Sequence, residues 1–117
     1  APNTSESFKR FGEREFLSMK KEAYFVNVSR GQLVDADALA KVMKTGHLAG
    51  AGLDVTDPEP LPEQHPLHSL EKVIITPHVA GLSEFNRRRS CTLAIENISR
   101  FIEDRPLFNV VNKQLGY

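Results

Sequence analysis

Three short apolar runs alternate with amphipathic segments along the chain. They cover residues 23–28, 49–53 and 73–75, and polar or small residues follow each one. The first run is almost continuously apolar, which is typical of a parallel strand that is buried on both faces. The second is rich in Ala and Gly, which suits a strand that another backbone or a ligand approaches closely. The three runs therefore predict three strands.

Segments with helical spacing lie before and between these strands. Residues 4–19 predict two short helical pieces that are broken near Gly12. Asp35 is a good N-cap for a second helix, and Gly46 is a good signal for its end. Residues 56–70 hold four prolines and predict a loop before the third strand.

The longest predicted helix runs from Ser83 to about Asp104, where Pro106 prevents its continuation. Its apolar stripe includes Cys91, which we expect to be a buried small hydrophobic residue. The order helix, strand, helix, strand, loop, strand, helix predicts an α/β fold with a parallel sheet.

Composition limits the possible functions. The 117 residues suffice for one modest domain, and 15 basic residues balance 15 acidic ones. This balance gives no footprint for nucleic acid or a membrane surface. A single cysteine excludes an internal disulfide, and no apolar run approaches the roughly 20 residues that span a bilayer. We therefore expect a cytoplasmic protein without nucleic-acid or membrane partners.

Ionisable residues follow the predicted strands. Arg30 comes after the first strand, Asp54 after the second with Glu59 close behind, and His78 after the third. Ligands of open α/β sheets bind at the carboxyl ends of the strands. Arg30 could hold a carboxylate, His78 could move a proton, and Glu59 could orient the imidazole. These groups suit keto/hydroxy redox chemistry, but equally a hydrolase or an isomerase.

Other polar groups have simpler interpretations. His65 and His68 form a His-x-x-His pair, but a metal site needs about three protein ligands and no third is apparent. We therefore expect two exposed loop histidines and no metal. The arginines at positions 87–89 are best explained as a solvated helix face.

Four segments together resemble the D-2-hydroxyacid dehydrogenases, and within them most closely the glyoxylate/hydroxypyruvate reductase group. They are VNVSRG at 26–31, GAGLDV at 50–55, PEPLP at 58–62 and TPHVAG at 76–81. The resemblance extends over essentially the whole chain. It implies the second half of a Rossmann-type dinucleotide-binding domain over residues 1–104, with a C-terminal helix. Residues 105–117 would be a tail that returns to the substrate domain.

The resemblance also implies roles for individual residues. Arg30 matches the arginine that binds the substrate carboxylate, Glu59 the glutamate paired with the catalytic histidine, and His78 the proton donor. Asp54 matches the aspartate beside the nicotinamide carboxamide. The other implied cofactor contacts, mostly through backbone groups, are Pro2, Val28, Ala80 and Gly81. The implied protein is an NAD- or NADP-dependent homodimer that interconverts small 2-keto acids and (R)-2-hydroxy acids.

One part of the family pattern is missing from this sequence. The family has a glycine-rich turn that cradles the pyrophosphate. The nearest approach here is Gly50-Ala51-Gly52, but Val55 stands at the third glycine position. The residue that selects NAD or NADP and most of the substrate domain are also missing. We therefore expect a fragment of the oxidoreductase, with an NAD-sensing binding module or an inactive truncated fragment as alternatives.

Overall fold

A computed structural model describes residues 2–117. Two short 3-10 turns accompany the regular elements, at Gly31–Leu33 and Pro66–Ser69. The helices and strands in chain order are α1 (Glu13–Ser18), β1 (Tyr24–Asn27), α2 (Ala36–Thr45), β2 (Gly50–Leu53), β3 (Val73–Ile75) and α3 (Glu84–Ile102). The chain divides into two compact units, of which the first ends at Val79 and the second is Ala80–Tyr117.

The three strands form one parallel sheet in the order β1-β2-β3. Tyr24 of β1 is level with Gly50, and Ala51 of β2 is level with Val73. Because all three strands run in the same direction, their carboxyl ends lie at one edge of the sheet. The predicted α/β fold with a parallel sheet is confirmed. Strands β1 and β2 are shorter than their apolar runs, whereas β3 has the same bounds as its run.

The core of the first unit lies on one face of the sheet. Phe16 of α1 packs edge-on against Phe25 of β1, with their ring centroids 5.0 Å apart. Leu39 and Val42 of α2 are almost completely buried, and so is Leu67 of the proline-rich loop. Burial of large apolar side chains such as these is the main favourable contribution to folding.

The prediction that the first strand is buried on both faces was wrong. Phe25 and Asn27 are buried, whereas Tyr24 and Val26 are 74% and 66% exposed. Successive side chains of a strand point to opposite faces, and α1 and α2 pack on only one of them. The apolar run therefore reflects a second face that nothing in this unit covers.

Both predicted ends of α2 are confirmed. The Oδ1 atom of Asp35 accepts a hydrogen bond of 3.1 Å from the backbone N–H of Ala38. Gly46 ends the helix with φ at 74°, in the left-handed region that favours glycine. In contrast, the first predicted helical piece forms only turns, and Thr4 accepts a hydrogen bond from Ser7 N–H there.

Replacing Asp35 by Ala should lower the free energy of unfolding by about 1 kcal/mol, whereas Asp35→Asn should keep most of the cap. The Ala38 N–H, and to a lesser degree the Lys9 ammonium, hold the pKa of Asp35 below its usual value. The part of its contribution that depends on the negative charge is therefore complete above the unfolded pKa of about 3.9 and is lost as the pH falls through the lower folded value. Urea unfolding at several pH values measures the free energy of unfolding of both proteins. If this free energy changed with pH equally in wild type and in Asp35→Asn below about pH 4, the result would contradict the role of the Asp35 charge.

Helix α3 belongs to the second unit. Ser83 caps it by accepting a hydrogen bond from Asn86 N–H at 3.1 Å. The expectation that Cys91 is buried was wrong, because the cysteine is exposed and α3 has no buried residue. Helical spacing identified its apolar stripe, but burial also requires a surface that covers the stripe.

The tail after α3 is held by polar contacts within the second unit. The Asn97 side chain accepts a hydrogen bond from Phe108 N–H at 2.9 Å and donates one to the Phe108 carbonyl at 3.1 Å. The Arg100 guanidinium lies 3.6 Å from the centre of the Phe108 ring. The sequence pattern gave no sign of this contact, since it joins a helix to a segment without periodicity.

Candidate active site

His78 and Glu59 form a hydrogen-bonded pair beyond the carboxyl end of β3. The Nδ1 atom of His78 is 2.8 Å from Oε1 of Glu59. An ionised carboxylate only accepts hydrogen bonds, so Nδ1 donates and Nε2 is left to exchange a proton with a substrate. Both side chains are about half exposed, at 49% and 43%. The pair can therefore perform general acid–base chemistry on a molecule bound beside it.

An open cavity connects this pair with the end of β2. Its lining includes Asp54, Glu59, His68, Thr76 and His78. Three residues chosen from the sequence, Asp54, Glu59 and His78, thus meet in one place. Parallel strand order accounts for this, because it brings the segments after β2 and β3 to the same edge.

Asp54 is buried at the end of β2, and its carboxylate contacts the turn that carries His78. Its Oδ1 atom accepts hydrogen bonds from the Thr76 hydroxyl at 2.5 Å and from Val79 N–H at 2.9 Å. These two donors flank His78 in sequence. The carboxylate therefore links the end of β2 to the histidine turn, and its predicted position beside a cofactor remains a prediction.

Arg30 follows β1 at the same edge of the sheet but is not among the residues that line the cavity. Its side chain is exposed, and its Nη1 atom donates to the Ser29 carbonyl at 2.8 Å. The buried Asn27 side chain holds this turn, donating to the Arg30 carbonyl at 2.9 Å and accepting from Ser29 N–H at 3.0 Å. Asn27 was not among the predicted site residues, although a polar residue inside an apolar run is a signal that the sequence offers.

The segments after β1 and β2 approach each other closely at Gly31. A Cβ atom placed on Gly31 would lie 1.9 Å from the Thr56 carbonyl oxygen. Only a glycine fits this contact without movement of the backbone. Gly31 thus sets the distance between the Arg30 turn and the loop that carries Glu59.

The remaining cofactor candidates occupy separate places. The Pro2 carbonyl accepts a hydrogen bond of 2.9 Å from the Ser7 hydroxyl. Val28 is 61% exposed at the end of β1, which leaves an apolar surface. Ala80 and Gly81 begin the second unit, where the Gly81 carbonyl accepts from Ser83 N–H at 3.1 Å. Their predicted cofactor contacts remain predictions.

The expectation of two exposed loop histidines holds for His68 but not for His65. The side chain of His65 is 13% exposed, accepts from Leu67 N–H at 3.2 Å and lies 3.4 Å from Oδ1 of Asp37.

Across residues 2–117, no group of three His, Cys, Asp or Glu side chains is placed to hold a metal ion. No helix in that range is long and apolar enough to cross a membrane.

Comparison with known proteins identifies the family of this chain. Residues 1–80 match the model described as D-isomer specific 2-hydroxyacid dehydrogenase, NAD binding domain. The glyoxylate reductase of Korarchaeum cryptofilum is 41% identical over 114 residues, which are 97% of this chain and 34% of that protein. The human glyoxylate reductase/hydroxypyruvate reductase is 40% identical over 92 residues, or 79% of this chain and 28% of that protein.

Solved structures agree with these matches. A D-isomer specific 2-hydroxyacid dehydrogenase from Xanthobacter autotrophicus Py2, in complex with NADPH and MES, has a TM-score of 0.86 at 35% identity. It matches 100% of this chain and 48% of its own. D-lactate dehydrogenase from Lactobacillus jensenii, solved with NAD+, has a TM-score of 0.83 at 25% identity, over 97% of this chain and 38% of its own. The chain spans about a third of the curated relatives it matches, and it belongs to the NAD-binding domain family of the D-isomer specific 2-hydroxyacid dehydrogenases.

Proposed function

We propose that this chain supplies the acid–base part of an NAD(P)-dependent reductase. The complete protein would interconvert 2-keto acids such as glyoxylate or hydroxypyruvate with (R)-2-hydroxy acids. The observation that carries this proposal is the His78–Glu59 pair, with Nδ1 and Oε1 2.8 Å apart at the carboxyl end of the sheet. Family membership supports the reaction class, and the names of the relatives support the substrate class.

The residues of the chain have complementary tasks in this reaction. In reduction, Nε2–H of the His78 imidazolium donates a proton to the keto oxygen, and in oxidation neutral Nε2 accepts it back. Glu59 holds Nδ1–H and stabilises the positive charge of the ring. Arg30 binds the substrate carboxylate with its planar guanidinium. When bound, the nicotinamide cofactor supplies or takes up the hydride at C2 of the substrate.

The residues present fit one end of a dinucleotide. Val28 offers an exposed apolar surface at the end of β1, and we propose that it lines the nicotinamide end together with Pro2, Asp54, Ala80 and Gly81. The glycine-rich turn for the pyrophosphate is missing from the sequence. Because the relatives are about three times as long, we propose that further protein segments supply this turn and the substrate domain. Residues 1–104 would then complete a Rossmann-type domain, and residues 105–117 would return to the substrate domain.

Oxidation of NADH and of NADPH by the complete protein, with glyoxylate or hydroxypyruvate added, tests this proposal. We expect turnover with at least one combination of cofactor and keto acid, and no oxidation of the cofactor when the keto acid is left out. Cofactor binding without turnover would instead support an NAD-sensing binding module. Absence of both binding and turnover would support an inactive remnant.

We further propose that the complete protein is a cytoplasmic homodimer. Large apolar side chains such as Phe85 and Phe101 of α3 are 81% and 77% exposed, and surfaces of this kind are usually covered in a functional protein. The single cysteine agrees with a reducing compartment. Sedimentation of the complete protein tests the dimer, and a monomer would contradict it. Cell fractionation tests the location.

A further inference from the structure

Two buried polar side chains lie at the carboxyl ends of neighbouring strands. Asn27, which ends β1, is 6% exposed, and Asp54, which follows β2, is 5% exposed. No other polar or charged residue in the described range 2–117 is buried. Burial of a polar group is unfavourable unless hydrogen bonds replace its lost contacts with water. Both buried polar residues lie at the carboxyl edge of the sheet, where we place the proposed active site. We therefore expect their hydrogen bonds to serve that site.

Each of these side chains holds a turn that carries one of the proposed reactive groups. Asn27 bonds to Ser29 N–H and to the Arg30 carbonyl, so it fixes the backbone on which the guanidinium stands. The hydrogen bonds use the amide as both donor and acceptor. No other side chain of this size and neutral charge offers both groups in this geometry.

Asp54 and Thr76 hold the backbone of the turn that carries His78. The Asp54 carboxylate binds the Thr76 hydroxyl and Val79 N–H, two donors that stand on either side of the histidine. The turn is closed by a bond of 3.0 Å from His78 N–H to the Thr76 carbonyl. His78 itself has φ at 56°, a conformation that residues with a side chain rarely adopt. A charged hydrogen-bond acceptor can hold the backbone in this conformation.

We propose that Asn27 and the Thr76–Asp54 pair are positioning residues with separate tasks. Asn27 sets the place of Arg30 and so controls how tightly the 2-keto acid carboxylate binds. The Thr76 hydroxyl, through Asp54, sets the place of His78 and so controls proton transfer. This inference rests on the proposed function, because it assigns the two tasks within that reaction.

The two tasks predict different kinetic effects. A carboxylate is held in the ground state and in the transition state alike, so a displaced Arg30 raises KM. Proton transfer takes place only in the transition state, so a displaced His78 lowers kcat. A merely structural role would change neither parameter selectively.

The test uses variants of the complete protein assayed with hydroxypyruvate and NADH or NADPH. Thr76→Val keeps the branched shape and removes the hydroxyl, and we expect kcat to fall about 10- to 100-fold while KM changes less than about threefold. Thr76→Ser should restore kcat to within about threefold of wild type. Asn27→Ala should raise the keto-acid KM about tenfold, with kcat within about threefold. If the Asn27→Ala variant does not fold, the Asn27→Ser variant is assayed in its place.

The matched control is Thr45→Val at the end of α2, where the hydroxyl donates to the Val42 carbonyl at 2.7 Å. It removes the same chemical group away from the strand ends, and both kinetic parameters should stay at the wild-type value. Hydrogen exchange gives a second measurement, since Asn27→Ala should speed exchange of Ser29 N–H, and Thr76→Val that of Val79 N–H. Wild-type inactivity would overturn the proposed function. An active wild type with no split between kcat and KM, or no rescue by Thr76→Ser, would overturn the positioning roles alone.

Discussion

Replacing His78 by Ala should lower kcat for keto-acid reduction by about 10²- to 10⁴-fold in the complete protein. The substitution removes the nitrogen that exchanges the proton, and it leaves Glu59 without its 2.8 Å partner. Binding of NADH or NADPH should change less than about threefold, because the imidazole acts on the substrate oxygen. Stopped-flow reduction of hydroxypyruvate measures the first effect, and fluorescence titration of the cofactor measures the second.

A suitable control for this substitution is His47→Ala. His47 lies between α2 and β2, before the amino end of β2, and its Nε2 atom contacts the Met19 carbonyl at 3.0 Å. The control removes an imidazole from the same unit but from outside the proposed site, so kcat should stay within about twofold. A wild-type kcat in His78→Ala, or an equal loss of kcat in His78→Ala and His47→Ala, would contradict the acid–base role of His78.

Replacing Gly31 by Ala should disrupt the site through the backbone. The new Cβ would lie 1.9 Å from the carbonyl oxygen and 2.1 Å from the carbonyl carbon of Thr56. Backbone atoms cannot rotate away as a side chain does, so one of the two segments has to move. We expect a loss of about 2–3 kcal/mol in the free energy of unfolding.

The same substitution should also affect catalysis. The Thr56 hydroxyl donates to the Pro58 carbonyl at 2.9 Å, so displacement of Thr56 reaches the residue before Glu59. We therefore expect kcat/KM to fall at least about tenfold under conditions where the variant is fully folded. Denaturant unfolding and steady-state kinetics on the same preparation separate the two effects.

Gly52→Ala is the matched control, because the nearest atom to its new Cβ would be a Val26 methyl group at 3.8 Å. That distance is an ordinary van der Waals contact, and Ala restricts the unfolded chain more than Gly does. Its stability should stay within about 1 kcal/mol of wild type. If the two glycine variants lose the same free energy of unfolding and the same kcat/KM, the close contact of Gly31 with Thr56 does not determine stability or activity.

The sheet and its active edge could be predicted because they depend on local patterns. Apolar runs of strand length, the N-cap Asp35 and the end signal Gly46 are all readable from adjacent residues. Parallel order then placed the groups after β2 and β3 at one edge, and Asp54 and His78 do line one cavity. The loop residue Glu59 was a candidate because it follows Asp54 closely, but only the family resemblance favoured it over a solvent-exposed loop residue, since a glutamate between prolines has no pattern of its own.

Features that depend on distant parts of the chain could not be predicted. Tyr24 and Val26 look buried in sequence, but their exposure depends on which face the helices cover. Cys91 lies on an apolar stripe, and no spacing rule says whether another surface covers that stripe. The contact of Gly31 with Thr56 joins residues 25 positions apart, so only the folded backbone reveals it.

We propose that the strand ends of this chain perform the proton transfer of a D-specific 2-hydroxyacid dehydrogenase. Chiral analysis of the glycerate that the complete protein makes from hydroxypyruvate, with NADH or NADPH, is the decisive measurement. We expect (R)-glycerate from the wild type and a rate about 10²- to 10⁴-fold lower from His78→Ala. Formation of (S)-glycerate, or no reduction of any 2-keto acid despite bound cofactor, would contradict it.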